Sequence, residues 1–348
     1  MILYPMKIRE KSFFDEEARL SELSAKGDFL EKLNAHINWE RFRGPVEQAM
    51  RNKNPKGPGG RPPNDAVVMV KTLILRELYQ LSDDALEYQI MDRLSFQRFL
   101  GLSLGDDVPD AKAIWHYRNE LSKHGVIAKL FRRFYKELEK KEMIANKGVI
   151  VDATFSEVLR QRNNREENAE IKDGKVPEDW QKDENAAKLR QKDTDARWTK
   201  KHGENHYGYK NHVKVDRKSK FIEHYVVTSA EVHDSLVLPD LLNPGDRGQS
   251  VHGDSAYRSE DIEAMLKRRK LKSRIHEKGY RNHPLTKTQR ERNRRKSKTR
   301  ARIEHVFGFM ENTMKVSRLR AIGKQRIEGI IGLINLTYNI CRYIQLAK

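Results

Sequence analysis

One short stretch restricts the folds open to this chain more than any other. Val149, Ile150 and Val151 form an unbroken β-branched block, and Asp152 follows at once. Such a run suits a strand covered on both faces. Asp152 is then expected where that strand emerges at its C-terminal end, the edge at which open α/β sheets collect ligand and catalytic groups. The pattern returns in Ser250-Val251-His252-Gly253-Asp254-Ser255. A third acid, Glu304, lies in a helical pattern beside Ile303, Val306 and Phe307.

The segments between these acids read as a mixed sheet with flanking helices. Tyr207 to Val215 and Phe221 to Val227 alternate and form a hairpin around Asp216-Arg217-Lys218-Ser219. His233-Asp234-Ser235 caps a helix to about residue 242. A helix at 259–270 and a short strand at 273–275 follow Asp254. A final apolar helix at 326–346 packs on the sheet. Residues 156 to about 205 carry few apolar anchors and cannot bury a core of their own. They read as a charged insertion, either solvated or lying along a DNA strand.

The first 145 residues read as helical. Apolar spacing marks a helix over 14–42, divided near Gly27, and another over 65–81. Ser82 and Asp110 are N-caps for the helices that follow them. The second of these, 111–122, presents Lys112, His116, Arg118 and Asn119 outward. Short helices with tight turns and one basic helix fit a helix-turn-helix bundle or a generic helical domain equally. Residues 52–63 are rich in Pro and Gly and form a linker or a basic arm.

Charge narrows the partners. The chain has 348 residues and a net charge of +19, with 69 Lys and Arg against 50 Asp and Glu. From Lys267 to Arg302 there are seventeen Lys or Arg and two acids. A field of that sign favours nucleic acid, with strong salt dependence. A basic peripheral membrane protein would need an amphipathic anchor, which the sequence lacks. The lone Cys341 excludes an intrachain disulfide and a Cys-rich zinc site. With no signal peptide and no run of roughly 18 apolar residues, the expectation is a soluble, cytoplasmic, nucleoid-associated protein.

Asp152, Asp254 and Glu304 among so many cations suit phosphodiester chemistry, in which carboxylates hold hard divalent ions. Val149-Ile150-Val151-Asp152-Ala153-Thr154, Asp193-Thr194-Asp195-Ala196-Arg197-Trp198, Tyr207-Gly208-Tyr209-Lys210, His233-Asp234-Ser235, Asp254-Ser255-Ala256-Tyr257 and Arg302-Ile303-Glu304-His305-Val306-Phe307-Gly308 together resemble the bacterial insertion-sequence transposases of the DDE type, family five. Asp83-Asp84-Ala85-Leu86-Glu87, Phe99-Leu100-Gly101-Leu102 and Val108-Pro109-Asp110 extend the resemblance into the N-terminal part.

The resemblance implies a ribonuclease-H-like α/β catalytic domain at 146–348, with the insertion at about 156–205, behind an all-α DNA-binding region at 1–145. It implies that Asp152, Asp254 and Glu304 bind two Mg²⁺ or Mn²⁺ ions and are catalytic. It further implies binding of terminal inverted repeats, strand cleavage, strand transfer into target DNA, and a homodimer or larger assembly on DNA. A metal-dependent nuclease on the same fold and a non-catalytic DNA-binding regulator are the alternatives. In the extended signature of the group Arg300 matches, whereas Ser297 stands at the Tyr position and Glu311 at the Lys position. Arg300, Glu304, Phe307 and Glu311 share one helical face, to which Lys315 returns. Arg300, Lys315, Lys112 and Arg118 are therefore the expected DNA contacts.

Overall fold

The computed structural model describes residues 14–51, 63–201 and 203–347. The 52–63 arm falls almost wholly outside the described residues. The N-terminal part is helical: α1 (Asp15–Ala25), α2 (Phe29–His36), α3 (Arg43–Met50), α4 (Ala66–Tyr79), α5 (Asp83–Asp92), α6 (Leu94–Leu100), α7 (Ala111–Lys123) and α8 (Val126–Lys140). The caps do what their chemistry dictates. Ser82 accepts from the Ala85 N–H at 3.1 Å and Asp110 from the Ala113 N–H at 2.6 Å. Helix α3 does not follow from the apolar spacing, because Gly44 and Pro45 in its first turn read as a break.

Then come β1 (Val149–Glu157), the short helices α9 (Arg165–Lys172), α10 (Glu178–Gln181) and α11 (Ala186–Arg190), and the strands β2 (Arg197–Lys201), β3 (Glu204–Asp216) and β4 (Ile222–Ser229). Helix α12 (Asp234–Leu241), β5 (Ser250–His252), α13 (Glu260–Arg268), β6 (Lys272–Ser273), α14 (Lys287–Arg300), α15 (Glu304–Gly308) and α16 (Lys324–Leu346) complete the order. Strands β1, β3 and β4 form an antiparallel meander. On the other side of β1, β5 and then β6 run parallel to it. That arrangement is the ribonuclease-H-like mixed sheet expected from the resemblance.

Successive residues of β1 serve opposite faces, as a pleat requires. Ile150 joins one apolar cluster while Val149 and Val151 join the other, and all three are wholly buried. The second face is covered by α12 and α13. The first lies under α16, whose residues pack in one continuous core with α4, α7, α8 and the sheet. Helix α16 therefore lies between the N-terminal helices and the sheet, rather than on the sheet alone. A Cβ at Gly329 would stand 1.9 Å from Ser122 Oγ, so only glycine lets α7 approach this closely. Asn335 exchanges hydrogen bonds with Asn211, and Asn339 both donates to and accepts from the Ile222 backbone. These buried amides are satisfied, and they fix how α16 sits across β3 and β4.

The 156–205 insertion holds more structure than its composition suggests. The fully buried Trp180 donates its indole N–H to Glu167 at 2.7 Å, and Lys188 and Lys192 stand over its ring. One aromatic surrounded by ion pairs replaces the apolar core that the segment lacks. Among the described residues no helix is long and apolar enough to cross a membrane.

Candidate active site and nucleic-acid interface

Asp152 is not at the end of its strand. It is the fourth of nine residues, because β3 continues to pair with β1 as far as Glu157 and Gly208. On the other side, the parallel partner stops early. The last β1–β5 pair is Ile150 and His252, so Asp152 and Asp254 each stand two residues beyond it. Two carboxylates are thus brought side by side where β5 ends and leaves β1 unpaired. Asp254 caps the next turn, accepting from the Ala256 N–H at 2.9 Å. Asp152 accepts from the Ala153 N–H at 2.9 Å.

Burial pushes the Asp152 carboxyl up to about 6, and the nearby Asp254 charge adds to it; the Ala153 N–H, Arg300 and Lys201 pull the other way. Tyr257 is fully buried, its hydroxyl has no hydrogen-bond partner among the described residues, and it lies in the field of Asp234, Asp152 and Asp254. Oxygen-only donors with an orphaned hydroxyl beside them fit a hard divalent cation.

Glu304 is the first residue of α15, with its side chain 66% exposed. Arg300 links it to the pair. One guanidinium nitrogen donates to Asp152 Oδ2 at 3.0 Å and the other stands 3.9 Å from Glu304 Oε1. Among the described residues, no group of three or more His, Cys, Asp or Glu is gathered closely enough to share a cation. Asp152 and Asp254 are brought together; Glu304 is tied to them only through an arginine.

Arg300 ends α14, fourteen residues without a buried side chain. Thr286 and Gln289 form a capping box at its start. Asn293 and Glu277 exchange hydrogen bonds, and Lys296 donates to Ile275, so one side of the helix is tethered. Arg294, Arg295 and Lys298 project into solvent. Ser297 donates to the Asn293 carbonyl at 2.9 Å, so at the Tyr signature position the side chain is turned onto its own helix.

The Transposase DDE domain family model matches residues 145–340. A second transposase-domain model, DUF772, matches residues 18–120. The chain is 30% identical over 232 residues to the transposase for insertion sequence element IS1106 of Neisseria meningitidis serogroup B, covering 65% of this chain and 76% of that protein. The chain belongs to the DDE transposases. A piggyBac transposase synaptic complex with hairpin DNA, seen by cryo-electron microscopy, matches 89% of this transposase and 71% of its own chain, at a TM-score of 0.42 and 13% identity.

The expected placement of two residues of the transposase, Arg118 and Lys315, needs correction. Arg118 does not face solvent: it grips Asp83 of α5 with both guanidinium nitrogens, and its side chain is 12% exposed. The carboxylate at the start of α5 captured it, a long-range pairing that helical spacing cannot reveal. Lys315 does not share a face with Glu304. The helix is broken by a turn at Ala301–Ile303, α15 ends at Gly308, a π-helical turn spans Phe309–Thr313, and Lys315 has φ +55°. Extrapolating one helical period across those breaks misplaced it. Lys112 is exposed on α7, as expected.

The remaining motifs hold the frame of the transposase. Buried Asp193 accepts from the Tyr209 hydroxyl at 2.7 Å and from the Gly323 N–H at 3.0 Å, and so joins the insertion, β3 and the start of α16. A carboxylate there also suits the helix dipole. Lys210 pairs with the buried Asp234 at 2.9 Å, and His212 lies 4.0 Å from the same carboxylate. A Cβ on Gly208 (φ +140°) would come within 2.6 Å of the Ser156 carbonyl oxygen. Phe155 stacks on His206 with ring centroids 4.0 Å apart, flanked by Lys201 and Lys210. Sequence spacing did not single out these roles. The one signal was Lys210 within β3, where an unpaired charge is costly and calls for a carboxylate partner.

Proposed function

We propose that Asp152, Asp254 and Glu304 are the catalytic acids of this transposase, and that they act on the terminal inverted repeats of an insertion sequence. The observation that carries the reading is the pair Asp152 and Asp254, two residues beyond the last β1–β5 pairing, with Arg300 of the basic helix α14 donating onto the first and reaching Glu304. The three carboxylates would hold two Mg²⁺ or Mn²⁺ ions. Bound there, the ions supply a water nucleophile at neutral pH and charge stabilisation at the phosphoryl oxygens.

The chain's own groups do the rest. The exposed cations of α14 hold phosphates beside the acids. Arg300 exchanges its carboxylate partners for a phosphate, which frees Asp152 and Glu304 to converge. Lys112 on α7 contacts the transposon end from the helical region. Cleavage leaves a 3′-hydroxyl, which attacks target DNA, and two protomers hold the two ends.

The test uses the full-length protein, a labelled transposon-end duplex and a plasmid target. Several kcal/mol of transition-state stabilisation corresponds to about a thousandfold in rate. Asp152→Asn, Asp254→Asn and Glu304→Gln should each lose cleavage by that order while still binding the end. Near-normal cleavage by any one of them removes that residue from the site. A pre-cut end that never joins the plasmid in the presence of Mg²⁺ would make the protein a nuclease instead.

A further inference from the structure

A second cationic recess lies away from the carboxylates. A cleft of about 960 Å³ opens between the helical region and the far end of β1. It is bounded by α5 and α7 on one side and by 158–162, 191–193 and 317–322 on the other. Six residues of chain separate Asp152 from Val158 at its edge, roughly 20 Å along an extended strand.

Its charges are unevenly matched. The carboxylates within it are mostly taken up internally: Glu77 by Arg76, Asp83 by Arg76 and Arg118, and Asp193 by Tyr209 and backbone N–H groups. Among the described residues, Asp84, in the first turn of α5, is the one carboxylate of the cleft left without a partner. Against it stand Arg162 and Arg320, both exposed and, among the described residues, without a side-chain partner. Arg160 lies over the Trp198 ring, and Arg326 donates only to Asn119 and a backbone carbonyl. The unmatched cations call for an anion with several charges.

An aromatic platform accompanies them. Trp115 lines the cleft and is 48% exposed, with no other ring packed on it among the described residues. A half-bare indole beside unpaired arginines is the combination that binds unpaired nucleotides: the base stacks on the ring while the guanidinium groups hold the phosphates. A space of this size takes a few nucleotides of one strand and not a turn of duplex.

We infer that this cleft binds a single-stranded segment of DNA, with a base on Trp115 and the backbone on Arg162 and Arg320. The inference rests on the transposase reading above and adds a strand-holding site to it. In the reaction, the occupant would be a strand unpaired at or near the transposon end.

The test measures fluorescence anisotropy of the full chain with a 5′-labelled single strand and with the matching duplex, across a salt series. Arg162→Glu combined with Arg320→Glu should weaken single-strand binding by about tenfold or more. It should also flatten the log–log salt dependence by about 1.4, from about 0.7 per phosphate contact. Trp115→Ala should weaken the same complex by about tenfold, with little change in salt slope. Both should leave duplex binding within about twofold, whereas Arg294→Glu with Arg295→Glu on α14 should weaken the duplex more. Equal losses on strand and duplex would overturn the inference, as would unchanged strand binding in both cleft variants. So would competition by polyglutamate with no effect of Trp115→Ala, since the site would then take acidic peptides. A wild-type protein that binds neither strand nor duplex would remove the proposed function, and this inference with it.

Discussion

Helices α14 and α16 are made from the same chain by opposite means. Helix α16 runs for 23 residues and is buried along nearly its whole length. Helix α14 runs for 14 residues with nothing buried. Apolar contacts on several sides stabilise α16. An isolated helix as short as α14 is marginal in water, and like charges at Arg290–Arg294, Arg292–Lys296 and Arg294–Lys298 weaken it further. It is held by a capping box, the Glu277–Asn293 tether and the Arg300–Asp152 contact. The difference separates two tasks. Residues that fix the frame are apolar and enclosed; the residues proposed to meet phosphates are left unpacked, where a polyanion would complete their stabilisation.

The widest gap between the helices should appear in stability. Ile334→Ala on α16 removes a side chain that is 3% exposed and should lower unfolding free energy by about 2–5 kcal/mol. Alanine at both Arg294 and Arg295 should leave the denaturation midpoint unmoved. A loss from the α14 pair as large as that from Ile334 would erase the distinction.

Next in size is the contact through which α14 touches the body. The folded Asp152 carboxyl sits at about 6, against an ordinary 3.8. The fold therefore holds this proton more tightly than the unfolded chain does. The stability it contributes is complete below about pH 4 and is lost as pH rises through about 6. Asp152→Asn removes that loss and should stabilise the free protein by on the order of 2–3 kcal/mol at pH 8. The gain should fade toward pH 4, as read from denaturant melts at several pH values. A gain that does not depend on pH would contradict the buried-carboxylate origin.

Smaller again is the effect of α14 on DNA. Replacing Arg294 and Arg295 by alanine should reduce the salt slope of duplex binding by about 1.8, at about 0.9 per phosphate. An unchanged slope would mean that these side chains do not touch the backbone. Smallest is the cap: Thr286→Ala should cost about 1 kcal/mol of local helix stability. It should appear as faster amide exchange confined to residues 287–300.

What could be read from the sequence was local. The Val149–Val151 block, the Ser82 and Asp110 caps, the β3–β4 hairpin and the run of cations each depend on neighbours a few residues away. What could not be read depended on distant partners. β1 outruns Asp152 because β3 continues beside it, and Arg118 turns inward because Asp83 awaits it 35 residues earlier. Glu304 and Lys315 could not be placed from periodicity, since the helix breaks twice between Arg300 and Lys315. The insertion looked coreless because one tryptophan within a shell of charges leaves almost no trace in hydropathy. The candidate acids were visible as residues, but the arginine joining two of them was not visible as a link.

Because α16 follows every strand in the order of synthesis yet fills the space beneath the first helices, the core that the helices share with the sheet is complete only once residues 324–346 have been made. A message interrupted upstream of residue 324 would release a polypeptide with an open apolar trough, a substrate for proteases. Under the proposed function, recognition and chemistry would mature together, and no half-protein would be left to occupy the termini without cutting them.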